Sequence, residues 1–142
     1  MDTYLYDVAN EHNCYITQNK TKASKSFVME TDDMYYINID VSRIKTSAEK
    51  KVYLAHELGH CISGTTYTIN HSKLYRGSAE YKADYRAAQL LMPINDLRDC
   101  ICKGITERYD LAEYFNVTEK FVERALYIYG NKGLLENLEF TL

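Results

Sequence analysis

The chain has 142 residues, which is the size of one ordinary domain and enough to bury a hydrophobic core. Its hydrophobic fraction of 46% and charged fraction of 26% are typical of a soluble globular protein. Seventeen basic residues against twenty acidic ones give a net charge of -3, so charge alone does not indicate a nucleic-acid partner.

The N-terminal segment and the hydropathy predict a cytoplasmic protein. The first residues, MDTYLYDVANEHN, lack the basic and then apolar segments of a secretory signal. No apolar run approaches the roughly 20 residues that a membrane span needs, so no membrane association is expected. Because the cytosol is reducing, we expect the four cysteines to be free thiols: Cys14, Cys61, Cys100 and Cys102.

The N-terminal part predicts a short helix followed by a strand pair. Apolar residues at near-helical spacing place the helix in the first dozen residues, and polar residues 17–26 predict a solvated loop. FVMET (27–31) and MYYINID (34–40) have strand composition, with Asp32 and Asp33 between them as a turn. The second run alternates in polarity, which predicts a half-buried strand near a sheet edge.

Helical signals follow from residue 46 onward. Thr46, with Glu49 three residues later, fits a capping box that opens a helix ending near Gly64. Residues 64–77 lack periodicity and predict a loop. A second helix is expected over residues 78–92, ended by Pro93.

The C-terminal part contains a further pair of predicted helices. ITERYDLAEYFNVTEKFVERALYIYGN (105–131) indicates two short helices that meet at Asn116, with Thr118 capping the second.

The segment HELGH (56–60) places two of the four histidines four residues apart. Residues at this spacing lie on nearly the same face of a helix, so His56 and His60 can direct both imidazoles at one metal ion. Glu57 is rotated by about 100° from His56 and reaches the rim of such a site without binding the ion. A base for a metal-bound water belongs at that position. Gly59 and Ala55 are small and leave room for a neighbouring helix.

A zinc enzyme also needs a third protein ligand and an open fourth position. Glu80 follows His60 by twenty residues, and Asp84 lies one turn further along the same helical face. A glutamate ligand, with an aspartate one turn on that binds the other ring nitrogen of a ligand histidine, is the arrangement that such sites use. The sequence therefore predicts a Zn²⁺ site formed by His56, His60 and Glu80, supported by Asp84.

Other interpretations of these residues remain open. The histidine pair could be a surface feature or core histidines bonded to carboxylates, and Glu80 and Asp84 could form a solvated acidic face. His71, in the loop between the two helices, is a candidate to stabilise an oxyanion, although a lone loop histidine is more often simply exposed. Cys61 points elsewhere on its helix and is interpreted as a core residue.

Three segments resemble the ImmA/IrrE family of zinc metallopeptidases, which phages and mobile elements of bacteria often encode. They are YLAHELGH (53–60), AEYKADYRAAQLLMP (79–93) and LAEYFNVTEKFVERAL (111–126). The matching segments cover roughly the C-terminal two-thirds of the chain, in the order and spacing of the family.

This resemblance implies roles for the same residues. His56, His60 and Glu80 would bind zinc, Glu57 would be the catalytic base, and Asp84 stands where the family has Asn or Asp. One departure is that this chain has Arg86-Ala87 where the family commonly has Phe-Ala. The departure removes no ligand, so it affects the expected substrate preference more than the chemistry.

The predicted helices and strands, together with the family resemblance, predict an α+β fold. We expect a small zincin-like domain with a short antiparallel sheet, an HExxH helix, a second ligand-bearing helix and a C-terminal helical segment. Residues 1–142 are expected to form a single metallopeptidase domain, with the zinc site in residues 1–93. Residues 94–142 would be a helical C-terminal extension of that domain.

The resemblance also implies a function. Known targets of the family are helix-turn-helix repressors, whose cleavage derepresses a mobile element or a stress response. The expected reaction is zinc-dependent peptide hydrolysis in such a repressor, with Glu57 transferring the proton from water to the leaving amine. The strand over residues 34–40 is the expected edge for pairing with an extended substrate.

The residue pattern of LAEYFNVTEKFVERAL (111–126) also fits a helix-turn-helix motif, which suggests an alternative function. The chain could then be a zinc-containing regulator that binds DNA or a repressor without proteolysis. From residue 94 onward six Lys/Arg stand against nine Asp/Glu, and we expect Lys120 and Arg124 to pair with the glutamates of their own helix, Glu119 and Glu123. A DNA-reading surface should be net basic, so direct nucleic-acid binding is not expected. The segment is better interpreted as helices that complete the core or dock a repressor.

Overall fold

The computed structural model describes residues 3–22, 24–66 and 72–136. In chain order the elements are α1 (Thr3–Glu11), β1 (Cys14–Thr17), β2 (Ser26–Thr31), β3 (Met34–Ile39), a 3₁₀ turn (Val41–Arg43), α2 (Ser47–Ser63), α3 (Lys73–Leu91), α4 (Ile94–Cys102), α5 (Arg108–Phe115) and α6 (Glu119–Asn131). The predicted α+β fold class is confirmed. No helix in this part of the chain combines the length and the apolar character that a membrane span requires.

The described strands form one sheet in the order β1-β3-β2. β2 and β3 make the predicted antiparallel hairpin, and Asp32 in its turn adopts a left-handed φ of 50°, which aspartate tolerates better than most residues. β1 was not predicted, and it pairs with β3 in parallel. The sheet is therefore mixed rather than wholly antiparallel. The prediction that β3 lies near a sheet edge is wrong, because β3 is the central strand and β2 is an edge.

α2 begins and ends at the predicted residues. The Thr46 hydroxyl accepts the Glu49 backbone N–H at 3.1 Å, which satisfies one of the free amides of the first turn. Gly64 ends the helix with a φ of 66°, a left-handed conformation that glycine adopts without a steric penalty.

α3 begins five residues before its predicted start. Its first residue is Lys73, and the preceding Ser72 caps it by accepting the Tyr75 backbone N–H at 3.0 Å. The first turns of α3 face solvent, with Leu74 85% exposed. Because these turns bury no apolar stripe, the sequence there carries no helical periodicity, and the prediction of a loop through residue 77 is wrong.

The C-terminal helices complete the hydrophobic core. α5 ends at Asn116 in a left-handed conformation, and the Thr118 hydroxyl caps α6 by accepting the Phe121 N–H, as predicted. Both helices contribute side chains to the same buried cluster as α2 and the sheet: Leu111, Ala112, Phe115, Phe121, Val122 and Ala125. The buried Tyr129 hydroxyl donates to the Met92 carbonyl at 2.8 Å and ties α6 to the end of α3.

α2 and α3 lie very close together at Gly59. A methyl group at this position would lie 2.2 Å from the carbonyl oxygen of Ala83 and 2.9 Å from its carbonyl carbon. Both atoms belong to the backbone of α3 and cannot move aside as a flexible side chain can. The absence of a side chain at Gly59 therefore sets how near α2 and α3 can lie.

We expect Gly59→Ala to lower the free energy of unfolding by about 2–3 kcal/mol, the cost of overpacking a rigid contact. Urea denaturation of the purified chain measures this effect. Gly77→Ala is the matched control, because a methyl group at that exposed position of α3 would meet nothing within 4 Å. This control should raise stability by about 0.5–1 kcal/mol, as alanine does in a helix interior. Equal stabilities for the two variants would contradict the close approach of the helices.

Candidate metal centre

α2 and α3 bring two imidazoles and a carboxylate together. The Nε2 atom of His56 lies 2.9 Å from Glu80 Oε2, and the Nε2 atom of His60 lies 3.1 Å from Glu80 Oε1. The ligand atoms that these three residues offer all lie within 4.8 Å of one another. The i, i+4 spacing on α2 places both rings on one side of the helix, as predicted, and α3 supplies the carboxylate opposite them.

The other ring nitrogen of each histidine is also bound. Nδ1 of His56 lies 2.6 Å from Asp84 Oδ1, and Nδ1 of His60 lies 3.1 Å from the carbonyl oxygen of Thr65. A carbonyl oxygen and an ionised carboxylate can only accept, so both Nδ1 atoms carry the proton and donate it. In the neutral rings the Nε2 lone pairs therefore face Glu80.

Neutral rings and an ionised Glu80 would place acceptors opposite acceptors, so the arrangement requires a proton or a metal ion between them. Burial of His56 disfavours its charged form, but its hydrogen bonds with Asp84 and Glu80 outweigh that effect and raise its pKa to about 10. Two imidazole nitrogens and one carboxylate are a donor set that divalent zinc accepts, and the residues fit such an ion.

Glu57 lies beside the three grouped residues and is nearly fully buried, with 6% of its surface exposed. It lines the same cavity as His56, His60 and Glu80, but it is not part of the ligand group found among the described residues. Burial raises the pKa of Glu57 above its ordinary value, and the neighbouring histidines oppose that rise. The position is the one that the sequence predicts for a base.

The cavity above the centre has a volume of about 900 Å³. It is lined by the edge strand β2 with the residue before it, by α2 and by α3. The start of α6 and its cap also line the cavity, through Thr118, Lys120, Phe121 and Arg124. α6, which lies in the predicted C-terminal extension, therefore builds part of the site.

Comparison with models of known protein families shows which family this chain belongs to. The model of the Peptidase M78 family, described as the IrrE N-terminal-like domain, matches residues 9–127. This chain belongs to that family. Comparisons with curated proteins and with solved structures gave no match. The match confirms the resemblance inferred from the three sequence segments, and it makes a metallopeptidase site the natural interpretation of the centre.

Arg124 is the residue of this family member that sequence reasoning missed. Its Nε atom donates to Asp84 Oδ2 at 2.9 Å, so the expected pairing of Arg124 within its own helix is wrong. Glu119 and Glu123 instead bind Arg108 of α5. Arg124 and Asp84 are 40 residues apart in the chain, and no local pattern links them.

The remaining predicted residues lie away from the metal centre or outside the described residues. His71 falls in residues 67–71, which are outside the described ranges, so its proposed role stays a prediction. Cys61 is buried in the core as expected, and all four cysteines are free. Arg86, where the chain departs from the family, is exposed and bonds to Gln89 one turn along α3.

Proposed function

We propose that this chain is a zinc-dependent endopeptidase that hydrolyses a peptide bond within a protein substrate. The observation that carries the proposal is the convergence of His56, His60 and Glu80 in the lining of a cavity of about 900 Å³. The buried carboxylate of Glu57 lies in the same cavity. Membership of a metallopeptidase family favours hydrolysis over a purely structural ion, and the cavity has room for a segment of polypeptide.

His56, His60 and Glu80 would hold the zinc ion. Bound zinc would supply a Lewis acid that polarises the scissile carbonyl and makes water more acidic. Glu57 accepts a proton from the water that attacks the carbonyl carbon, and it returns the proton to the amine nitrogen as the C–N bond breaks. The raised pKa makes the Glu57 carboxylate a stronger base in the first step than an ordinary carboxylate.

The substrate strand is expected to pair with β2. The sequence assigned this role to residues 34–40, but β3 has a strand on each side and offers no free edge. β2 pairs with β3 on one side alone among the described strands, and Ser26, Phe27 and Val28 line the cavity. An extended peptide beside β2 would therefore run over the metal centre and use backbone hydrogen bonds that are independent of its sequence.

We infer that the substrate is a helix-turn-helix repressor of a phage or mobile element, because the family resemblance implies targets of this class. Such a repressor is a cytoplasmic protein, so the reaction would take place in the cytoplasm. The cavity contributes both apolar and charged contacts for a polypeptide, including Phe27, Tyr53 and Lys120.

Cleavage of a candidate helix-turn-helix repressor, chosen from those encoded near the gene of this chain, tests the proposal. The purified chain with one equivalent of zinc should convert the repressor into discrete fragments. A chelator should stop the reaction, and added zinc should restore it. Repressor incubated with zinc alone is the control. A zinc-loaded chain that binds the repressor but leaves it intact would overturn the proposal and favour a regulator that acts by binding.

A further inference from the structure

Two hydrogen bonds connect α6 to the metal centre through Arg124, Asp84 and His56. Arg124 of α6 donates from Nε to Asp84 Oδ2 at 2.9 Å. The other oxygen of the same carboxylate, Oδ1, accepts from Nδ1 of His56 at 2.6 Å. Both hydrogen bonds are charge-assisted, because each involves the ionised Asp84 carboxylate, and each uses a different oxygen of that carboxylate. The orientation of this carboxylate therefore depends on α6 as well as on α2.

The guanidinium of Arg124 is itself held in place. Its carbon atom lies 5.6 Å from the ring centre of Tyr81 and 5.7 Å from that of Tyr127. The exposed fractions of the Asp84 and Arg124 side chains are 19% and 38%. Partial burial reduces screening by salt, and two aromatic rings restrict the arginine rotamers, so this ion pair is better defined than an ordinary surface pair.

We propose that Arg124 is a positioning residue of the metal centre. By binding one oxygen of Asp84 it keeps the other directed at His56, which fixes the plane of that imidazole and keeps the proton on Nδ1. Nε2 of His56 is then available to a metal ion. Without Arg124 the Asp84 carboxylate loses one of the two contacts that orient it and can turn away from the ring more easily. The inference rests on the proposed function, which makes His56 a metal ligand.

The sign of the effect on zinc affinity separates this role from simple electrostatics. Arg124 carries a positive charge, and a nearby positive charge repels a divalent cation. If its charge alone mattered, removal of Arg124 would tighten zinc binding. Loss of the groups that orient a ligand instead weakens metal binding by about 10–100-fold. We therefore expect Arg124→Met to weaken zinc binding by about tenfold.

Competition with a chromophoric zinc chelator measures the dissociation constant on the full chain. In an Asp84→Asn background, Arg124→Met should produce no further weakening, because Arg124 acts through Asp84. Arg124→Lys keeps the charge without the planar donor and should remain weaker than the wild type. Arg108→Met is the matched control, because it removes an arginine that binds α6 through Glu119 and Glu123 and should leave zinc affinity unchanged.

Two results would overturn the inference. One is zinc binding in Arg124→Met that equals or exceeds that of the wild type, and the other is an equal weakening in the presence and absence of Asp84→Asn. If Arg124→Met does not fold, Arg124→Lys alone carries the test, and wild-type affinity in that variant would refute the role. A wild-type chain that binds no zinc would refute the proposed function as well, whereas tight wild-type binding with unaltered variants refutes this inference alone.

Discussion

Replacement of Glu57 by glutamine is expected to lower the rate of peptide hydrolysis by about 10²–10⁴-fold, the contribution typical of a general acid-base group. Glutamine has the shape of glutamate but cannot accept the proton of the attacking water. Zinc binding should stay at one ion per chain, because Glu57 lies outside the ligand group of His56, His60 and Glu80. The fold should also be kept, since an uncharged side chain suits this buried position.

Single-turnover cleavage and zinc content, measured on the same preparation, test this prediction. Glu49→Gln is the matched control, because Glu49 lies on α2 and lines the same cavity but pairs with Lys25 at 2.8 Å. This control should retain most of the cleavage activity. Retained cleavage in Glu57→Gln would refute the role of Glu57 as the base, and a loss of zinc in that variant would show that Glu57 is a ligand.

Replacement of Glu80 by alanine is expected to remove the metal. In this variant only the two histidines would remain to hold the ion. Loss of a residue that binds the metal directly should lower zinc affinity by more than the 10–100-fold that follows from loss of a residue that only orients a ligand. We expect the zinc affinity of Glu80→Ala to fall by more than about 100-fold and cleavage to disappear with it.

Zinc per chain after gel filtration, determined by atomic absorption, measures this loss. Glu11→Ala, at the exposed end of α1, is a control for the removal of one carboxylate from a helix surface. Its zinc content should match that of the wild type. Zinc content in Glu80→Ala that equals the control would show that the third ligand is another group.

Local chemistry explains why the sequence predicts α2 and its two histidines so well. Thr46 caps the helix, Gly64 ends it, and the spacing of His56 and His60 places both rings on one face whatever the rest of the fold does. Glu80 is predicted from its position on the next helix, one turn before Asp84, and the structure places its carboxylate beside both imidazoles.

The incorrect sequence predictions have a common physical cause: each concerns a structure that depends on contacts between residues far apart in the chain. β1 has four residues, Cys14–Thr17, and becomes a strand only because it pairs with β3 some twenty residues later. Its presence converts β3 from an edge into a central strand. The pairing partner of Arg124 is likewise set by the packing of α6 against α3. Charges on the same helix suggested nearer partners, but Arg108 occupies those glutamates.

The most direct test of the metal centre is a crystal structure grown with zinc, with anomalous scattering measured at the zinc edge. We expect a single zinc ion bonded to Nε2 of His56, Nε2 of His60 and the carboxylate of Glu80, with Asp84 still bound to Nδ1 of His56. A zinc ion at another location, or a Glu80 side chain directed away from both imidazoles, would contradict the proposed centre.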